Sequence, residues 1–187
     1  MAESATALLA LWNDVDPALE ALYNEWHAGE HVPERLTVPG ILWARRYGGL
    51  AMMSMPRYLT LYGLRDAAVL DSEPYQRLLR EPTATSRRMR PALVNLSRWV
   101  CRLVEAGLPD RGSRLAVWTL PAAPEPGDAG RLVAERLPQA AALPWLQSGQ
   151  SRPVEGEWLV GLPFEPARDA RPQAPAGACE YARLPVG

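Results

Sequence analysis

The sequence predicts an α+β fold made of two tandem β-α-β-β-α-β units, the second lacking one helix. Three observations predict it. Strand-like apolar runs and helix-start signals alternate in that order between Ala7 and Val104. The word Leu9-Ala10-Leu11-Trp12 returns as Leu115-Ala116-Val117-Trp118, and the later segments keep the same succession. Prolines and glycines, 19 and 14 of the 187 residues, punctuate the joins and leave few windows long enough for helices.

Composition sets the outer bounds. A chain of 187 residues is one large domain or two small ones, and 48% hydrophobic residues suffice for a core. A net charge of −1 gives no global attraction to nucleic acid or to an anionic membrane. All 20 basic residues are arginine, so no lysine can form a Schiff base or act as an amine nucleophile. Cys101 and Cys179 lie far apart in apolar segments, outside any Cys-x-x-Cys pair, and read as buried free thiols. The first apolar run, Ala5 to Trp12, has no basic flank and is too short for a signal peptide. No segment reaches the ~18 apolar residues of a membrane span, so a soluble cytoplasmic protein is expected.

Within the first unit, Ala7–Trp12 reads as a buried strand. Asp16-Pro17 starts a helix, with Asp as N-cap and Pro at the first helical position. Leu19, Leu22, Tyr23 and Trp26 form its apolar stripe; Gly29 and Pro33 are expected to end it. A turn at Pro39-Gly40 leads to a strand over Ile41–Tyr47. Gly48-Gly49 and Met52-Met53-Ser54-Met55 read as an adaptable loop, Arg57–Tyr62 as a third strand, and Ser72–Arg80 as a helix capped by Ser72. Ser86–Arg90 reads as a further helical turn and Leu93–Val104 as a long, bulged fourth strand. This order is that of a ferredoxin-like unit. The first unit, residues 1–107, is expected to end at the linker Gly107-Leu108-Pro109-Asp110.

The second unit, residues 108–187, is expected to repeat the pattern with strands at Leu115–Trp118, Leu143–Leu146, Glu157–Val160 and Cys179–Leu184. A helix is expected over Asp128–Leu137. Four prolines between Phe164 and Gly177 argue against a second helix. Two such sheets packed face to face would cover the surface that each leaves bare.

The run Tyr23-Asn24-Glu25-Trp26…Glu30-His31-Val32-Pro33-Glu34-Arg35-Leu36…Pro39-Gly40-Ile41…Ala44-Arg45-Arg46-Tyr47 carries a resemblance. With Pro56-Arg57-Tyr58-Leu59…Tyr62 and Ser86-Arg87-Arg88-Met89, it resembles the EthD-like branch of the dimeric α/β-barrel superfamily, over residues 5–105. The resemblance implies an intrachain dimeric α/β-barrel-like arrangement with a cleft between helices and sheet. The superfamily includes polyketide cyclases, muconolactone isomerases, quinol-forming monooxygenases and haem-degrading enzymes, and the EthD-like branch is mostly unassigned. His31 matches the pattern; His27 stands where the pattern carries an aromatic residue.

The chemistry concentrates in residues 23–35, which hold both histidines. His31 has two readings. As a general acid or base it would move a proton from a phenol or an acidic C–H, oriented by Glu30, Glu34 or Asn24. As a structural residue it would sit at a helix C-terminus or brace the turn before Pro33. His27-Ala28-Gly29-Glu30-His31 matches the His-x-x-Glu-His zinc pattern, but there is no third histidine and a helix break is expected inside it. No metal and no cofactor are expected. Tyr23, Trp26, Tyr58, Tyr62 and Trp99 are candidate aromatic lining; Arg35 and Arg46 are candidate clamps for a carboxylate or phenolate. Arg45 and Arg46 point to opposite faces of a strand, so at most one reaches the cleft. Two functions follow. One is a cofactor-independent enzyme or binder for an aromatic or polyketide-like molecule. The other is a non-catalytic structural or accessory barrel. The expected partners are a small aromatic ligand and a second copy of the chain in a homodimer, with no nucleic acid and no membrane.

Overall fold

The computed structural model describes residues 3–50, 54–107, 112–127, 130–138, 143–167 and 174–186. Eight strands form one closed antiparallel barrel: β1 (Ala7–Val15), β2 (Ile41–Gly49), β3 (Tyr58–Leu64), β4 (Leu93–Glu105), β5 (Arg114–Leu120), β6 (Leu132–Arg136), β7 (Trp158–Phe164) and β8 (Cys179–Leu184). Their order around the barrel is β1-β3-β2-β8-β5-β7-β6-β4. The helical segments described all lie between β1 and β4. They are α1 (Glu20–Trp26), α2 (Val32–Leu36), α3 (Glu73–Arg80), α4 (Ala84–Met89) and short turns beside them.

This corrects the expectation of tandem ferredoxin-like α/β units. The two halves do not stack as separate sheets. They join edge to edge, β2 to β8 through Arg46↔Leu184 and β4 to β6 through Cys101↔Arg136, into a single ladder. Closure pairs every edge strand and so removes exposed backbone donors and acceptors. Among the described residues the second half contributes four strands and no helix. The helix expected over Asp128–Leu137 is strand β6 in its described part. Leu132 and Ala134 enter the barrel interior there, and pairing with β4 and β7 overrides local helix propensity. Leu143–Leu146 is a turn, closed by Leu146 N–H to the Leu143 carbonyl at 3.1 Å, and not a strand. Met52, Met53 and the linker residues Leu108, Pro109 and Asp110 lie outside the described residues.

Alternation along β1 shows why both of its faces are apolar. Leu8, Ala10 and Trp12 point into the barrel, where they meet Leu59, Leu61, Trp99, Cys101, Leu115 and Tyr181. Trp12 and Trp99 meet edge to face at 5.5 Å. Ala7, Leu9 and Val15 point outward and pack under the helices with Tyr23, Trp26, Tyr62 and Met89. An eight-stranded barrel is wide enough for side chains and little more. Cys101 and Cys179 are free and buried in this interior, and burial pushes the Cys101 thiol up to about 12. A bulge in β4 opposite Trp12 and Asp14 places Asn95 at a φ of 52°, where its amide donates to Asp14 Oδ2 at 2.7 Å. No described helix is long and apolar enough to cross a membrane.

Gly63 on β3 faces Trp43 across the β2–β3 ladder. A Cβ there would fall inside the Trp43 indole. Gly63→Ala is expected to destabilise the barrel by about 1–3 kcal/mol, measured by urea denaturation. Adding Trp43→Ala should recover part of that loss, so the two effects will not sum. Strict additivity would show that the indole is not the obstacle.

Candidate functional site

The first helix does not end at Gly29. Asp16 caps its start, accepting the Ala18 N–H at 2.9 Å, and a turn over Pro17–Leu19 runs into α1. The chain then widens into a π-turn over His27–His31 and continues as α2 to Leu36. Pro33 explains the wide turn. It has no N–H, and its ring would strike the carbonyl four residues back in a regular helix. In the π-turn the Val32 N–H reaches the His27 carbonyl, five residues back, which relaxes the ladder just ahead of the proline. His27 and His31 therefore stay on one helical face, their rings 5.0 Å apart. The rings of Tyr23 and Trp26 pack beside them, Tyr23 5.1 Å from His27 and Trp26 4.6 Å from His31.

That face looks into a pocket of about 50 Å³ between the helical run and the outside of the barrel. Trp26, His27, His31 and Arg35 line it from the helical side. Leu11 and Asn13 of β1 and Leu93 and Leu96 of β4 form its floor. Tyr75 and Leu79 of α3 close one wall together with Arg90. Leu143 and Trp145 reach it from the second half of the chain.

Both imidazoles are unusual in the same way. The Nδ1 atoms of His27 and His31 are buried and have no hydrogen-bond partner. Burial is the main cause that holds both rings well below the ordinary imidazole value of 6.5. The positive field of Arg46 and then Arg35 adds to this at His27; Arg35, His27, Arg90 and Arg46 add to it at His31. Both are neutral at pH 7, and each ring has a nitrogen free to donate or accept. An unpartnered buried polar atom is costly, and both rings belong to residues that line the cavity.

The other sequence candidates divide into two groups. Tyr23 and Tyr62 are buried beneath the pocket. Tyr23 donates to Asn13 Oδ1 at 3.2 Å, while the Tyr62 hydroxyl is buried without a partner. Burial raises the pKa of both phenols. Asn24, Arg46 and Tyr58 form a separate polar knot. The Arg46 guanidinium donates to Asn24 Oδ1 at 2.9 Å and to the Pro185 carbonyl at 3.0 Å. Asn24 Nδ2 donates to the Tyr58 hydroxyl at 3.0 Å, and that hydroxyl donates to Glu20 at 2.5 Å. Asn24 therefore does not orient His31. Glu30 does not either: its carboxylate accepts the Thr83 hydroxyl, which also caps α4 by accepting the Ser86 N–H at 3.0 Å. Ser72 holds the N-cap position of α3 as expected, but its hydroxyl donates to the Val69 carbonyl at 2.6 Å and makes no capping hydrogen bond to the helix.

Sequence reasoning missed Asn13, Tyr75, Arg90 and Trp145, and set His27 aside. Tyr75 and Leu79 stand at i, i+4, a spacing that marks an inward helical face. Arg90 was hidden in the basic run Arg87-Arg88-Met89-Arg90. Its guanidinium is buried, donates to the Leu79 and Leu78 carbonyls at 3.0 and 3.1 Å, and lies over Trp145 at 5.1 Å. Nothing in the local pattern around Trp145 marks it. Among the described residues no group of three or more His, Cys, Asp or Glu side chains is placed to hold a metal ion.

No family model matches the chain, and no curated protein matches it. Among solved structures the chain is similar to a crystal structure of an anthrone oxidase-like protein. The TM-score is 0.55 at 12% identity, over 95% of this chain and 90% of that one. At that identity the likeness concerns the fold alone.

The neutral histidines have a consequence for stability. Their folded pKa values lie below 6.5, so as pH falls the unfolded chain binds protons first. Stability should be level above about pH 7 and fall below about 6.5, by up to ~1.4 kcal/mol per pH unit for each histidine. Urea denaturation between pH 7.5 and 5.5 measures the slope. It should flatten in the double variant His27→Gln, His31→Gln. An equal slope in the variant would mean that the imidazoles do not carry it.

Proposed function

We propose that this chain binds a small aromatic molecule with an acidic proton in the pocket beside His31, and that His31 moves that proton. The observation that carries the reading is a pair of neutral histidines, each with a buried Nδ1 that has no partner, lining one cavity with aromatic side chains. A neutral imidazole out of bulk water can accept a proton from a phenol or an activated methylene. Arg35 lines the same pocket and adds a positive field that favours anionic groups within it. Tyr75 and Trp26 offer ring faces, and Leu11, Leu93 and Leu96 supply apolar floor.

The cavity is compact, with room for on the order of four waters. A dry cavity that holds one benzene measures about 150 Å³, so even a single ring requires the walls to open, and a fused ring system requires Trp145 to swing outward. Trp145 is only partly buried and stands on a turn, so it is the movable wall. The EthD-like resemblance joins this reading as a proposal, since the run that carries it supplies Trp26, His31 and Arg35. The accessory-barrel alternative calls for internal partners at His31 and no cavity beside it; the unpartnered Nδ1 and the pocket favour the ligand-handling reading.

The test uses phenol, 2-naphthol and anthrone, the last chosen for its acidic methylene. Each should raise the melting temperature of the protein. Exchange of the anthrone methylene hydrogens into D2O should be faster with protein present. His31→Gln should lower that acceleration by roughly 10²–10⁴-fold while the thermal shift persists. Absence of any thermal shift overturns the binding reading. Unchanged exchange in His31→Gln overturns the role of His31.

A further inference from the structure

We infer that the ligand of this pocket is an anion, an aromatic ring bearing a carboxylate held by Arg35 and Arg90. This rests on the aromatic reading above and adds the ligand's charge and the residues that select it. The lining holds four basic side chains, His27, His31, Arg35 and Arg90, and no acidic one. Both guanidinium groups belong to residues that are nearly inaccessible, at 5% for Arg35 and 9% for Arg90.

Counter-charge is short. The Glu34 carboxylate accepts Arg35 Nη1 at 3.0 Å, and its field also reaches Arg90. It lies outside the lining of the pocket. Arg90 gives its hydrogen bonds to neutral carbonyls of α3 and its cationic face to Trp145. Arg46 adds further positive field from the sheet side, hydrogen-bonded to an amide and a carbonyl. One carboxylate thus serves two buried guanidinium groups at the cavity, and a buried charge without its counter-charge is costly. A carboxylate entering the pocket supplies it.

The geometry also says where the ring goes. Arg35 lies over Tyr75 at 5.9 Å and Arg90 over Trp145 at 5.1 Å, so each guanidinium is backed by an aromatic face. A planar guanidinium fork matches a carboxylate edge. The imidazoles and the leucine floor line the same cavity and are left to contact the ring. The same positive field disfavours a cationic ligand.

The experiment is isothermal titration of the full chain at pH 7.5 with three probes of one shape: 4-hydroxybenzoate, 4-hydroxybenzamide and 4-hydroxybenzylamine. The benzoate should bind at least tenfold more tightly than the amide, and the amine should bind most weakly. Arg35→Gln should abolish the preference for benzoate over amide, while Arg35→Lys should keep part of it. Equal affinity for benzoate and amide overturns the charge inference and leaves the aromatic reading standing. Failure of all three to bind overturns both. A preference that survives intact in Arg35→Gln overturns the assignment to Arg35. If Arg35→Gln does not fold, the wild-type comparison and Arg35→Lys still decide the matter.

Discussion

Closure of the barrel is the constraint on which the rest depends. The β2–β8 and β4–β6 ladders leave no strand unpaired, and the eight strands enclose a space that Trp12, Trp99, Leu59 and Tyr181 fill. The interior is therefore a core. Room for another molecule lies on the outside, where helices cross the β1–β4 wall. The pocket lies there, between the helical run and strands β1 and β4. Side chains from the strands point outward beneath Trp26 and the histidines, and the fit is incomplete next to β1 and β4.

Within that layer, Pro33 has an effect out of proportion to its size. A helix that ended at Gly29 would have carried His31 away from His27. The π-turn keeps the helix going, holds both imidazoles on one side and brings Arg35 into line with them. The helix is fixed at both ends by polar contacts that avoid the pocket. Asn24, Arg46, Tyr58 and Glu20 tie its first turns to β2 and β3. Glu30 and Trp26 tie it to Thr83 and Ser86 of α4. Site residues held on a rigid, tethered element keep their geometry better than residues on a free loop.

The sequence was legible where local signals and burial agree. Strand β8 lies where Cys179–Leu184 predicts it, and β1, β2, β3 and β5 differ from expectation mainly at their ends. Asp16-Pro17 opens a helix as its chemistry requires. Legibility failed where pairing partners decide. Leu132–Arg136 has a helical composition, yet two neighbouring strands need it as their link. Pro33 signals a break, and the π-turn absorbs it. At the site, His31, Trp26 and Arg35 could be picked out because they share one short run. Arg90 and Trp145 could not, because each reaches the pocket by tertiary packing, Arg90 from a segment that reads as a helical turn and Trp145 from one that reads as a strand.

Trp145 gives the pocket a further property. It comes from the half of the chain that supplies neither histidine nor arginine to the lining, and the segment that bears it is anchored by Gln150. The Gln150 side-chain amide donates to the carbonyls of Arg90 and Leu93 at 3.1 and 2.9 Å. The roof of the cavity is thus fastened to the same backbone stretch that presents Arg90. Neither half of the chain owns the binding surface: the first brings the charged and titratable groups, and the second brings the cover and the latch.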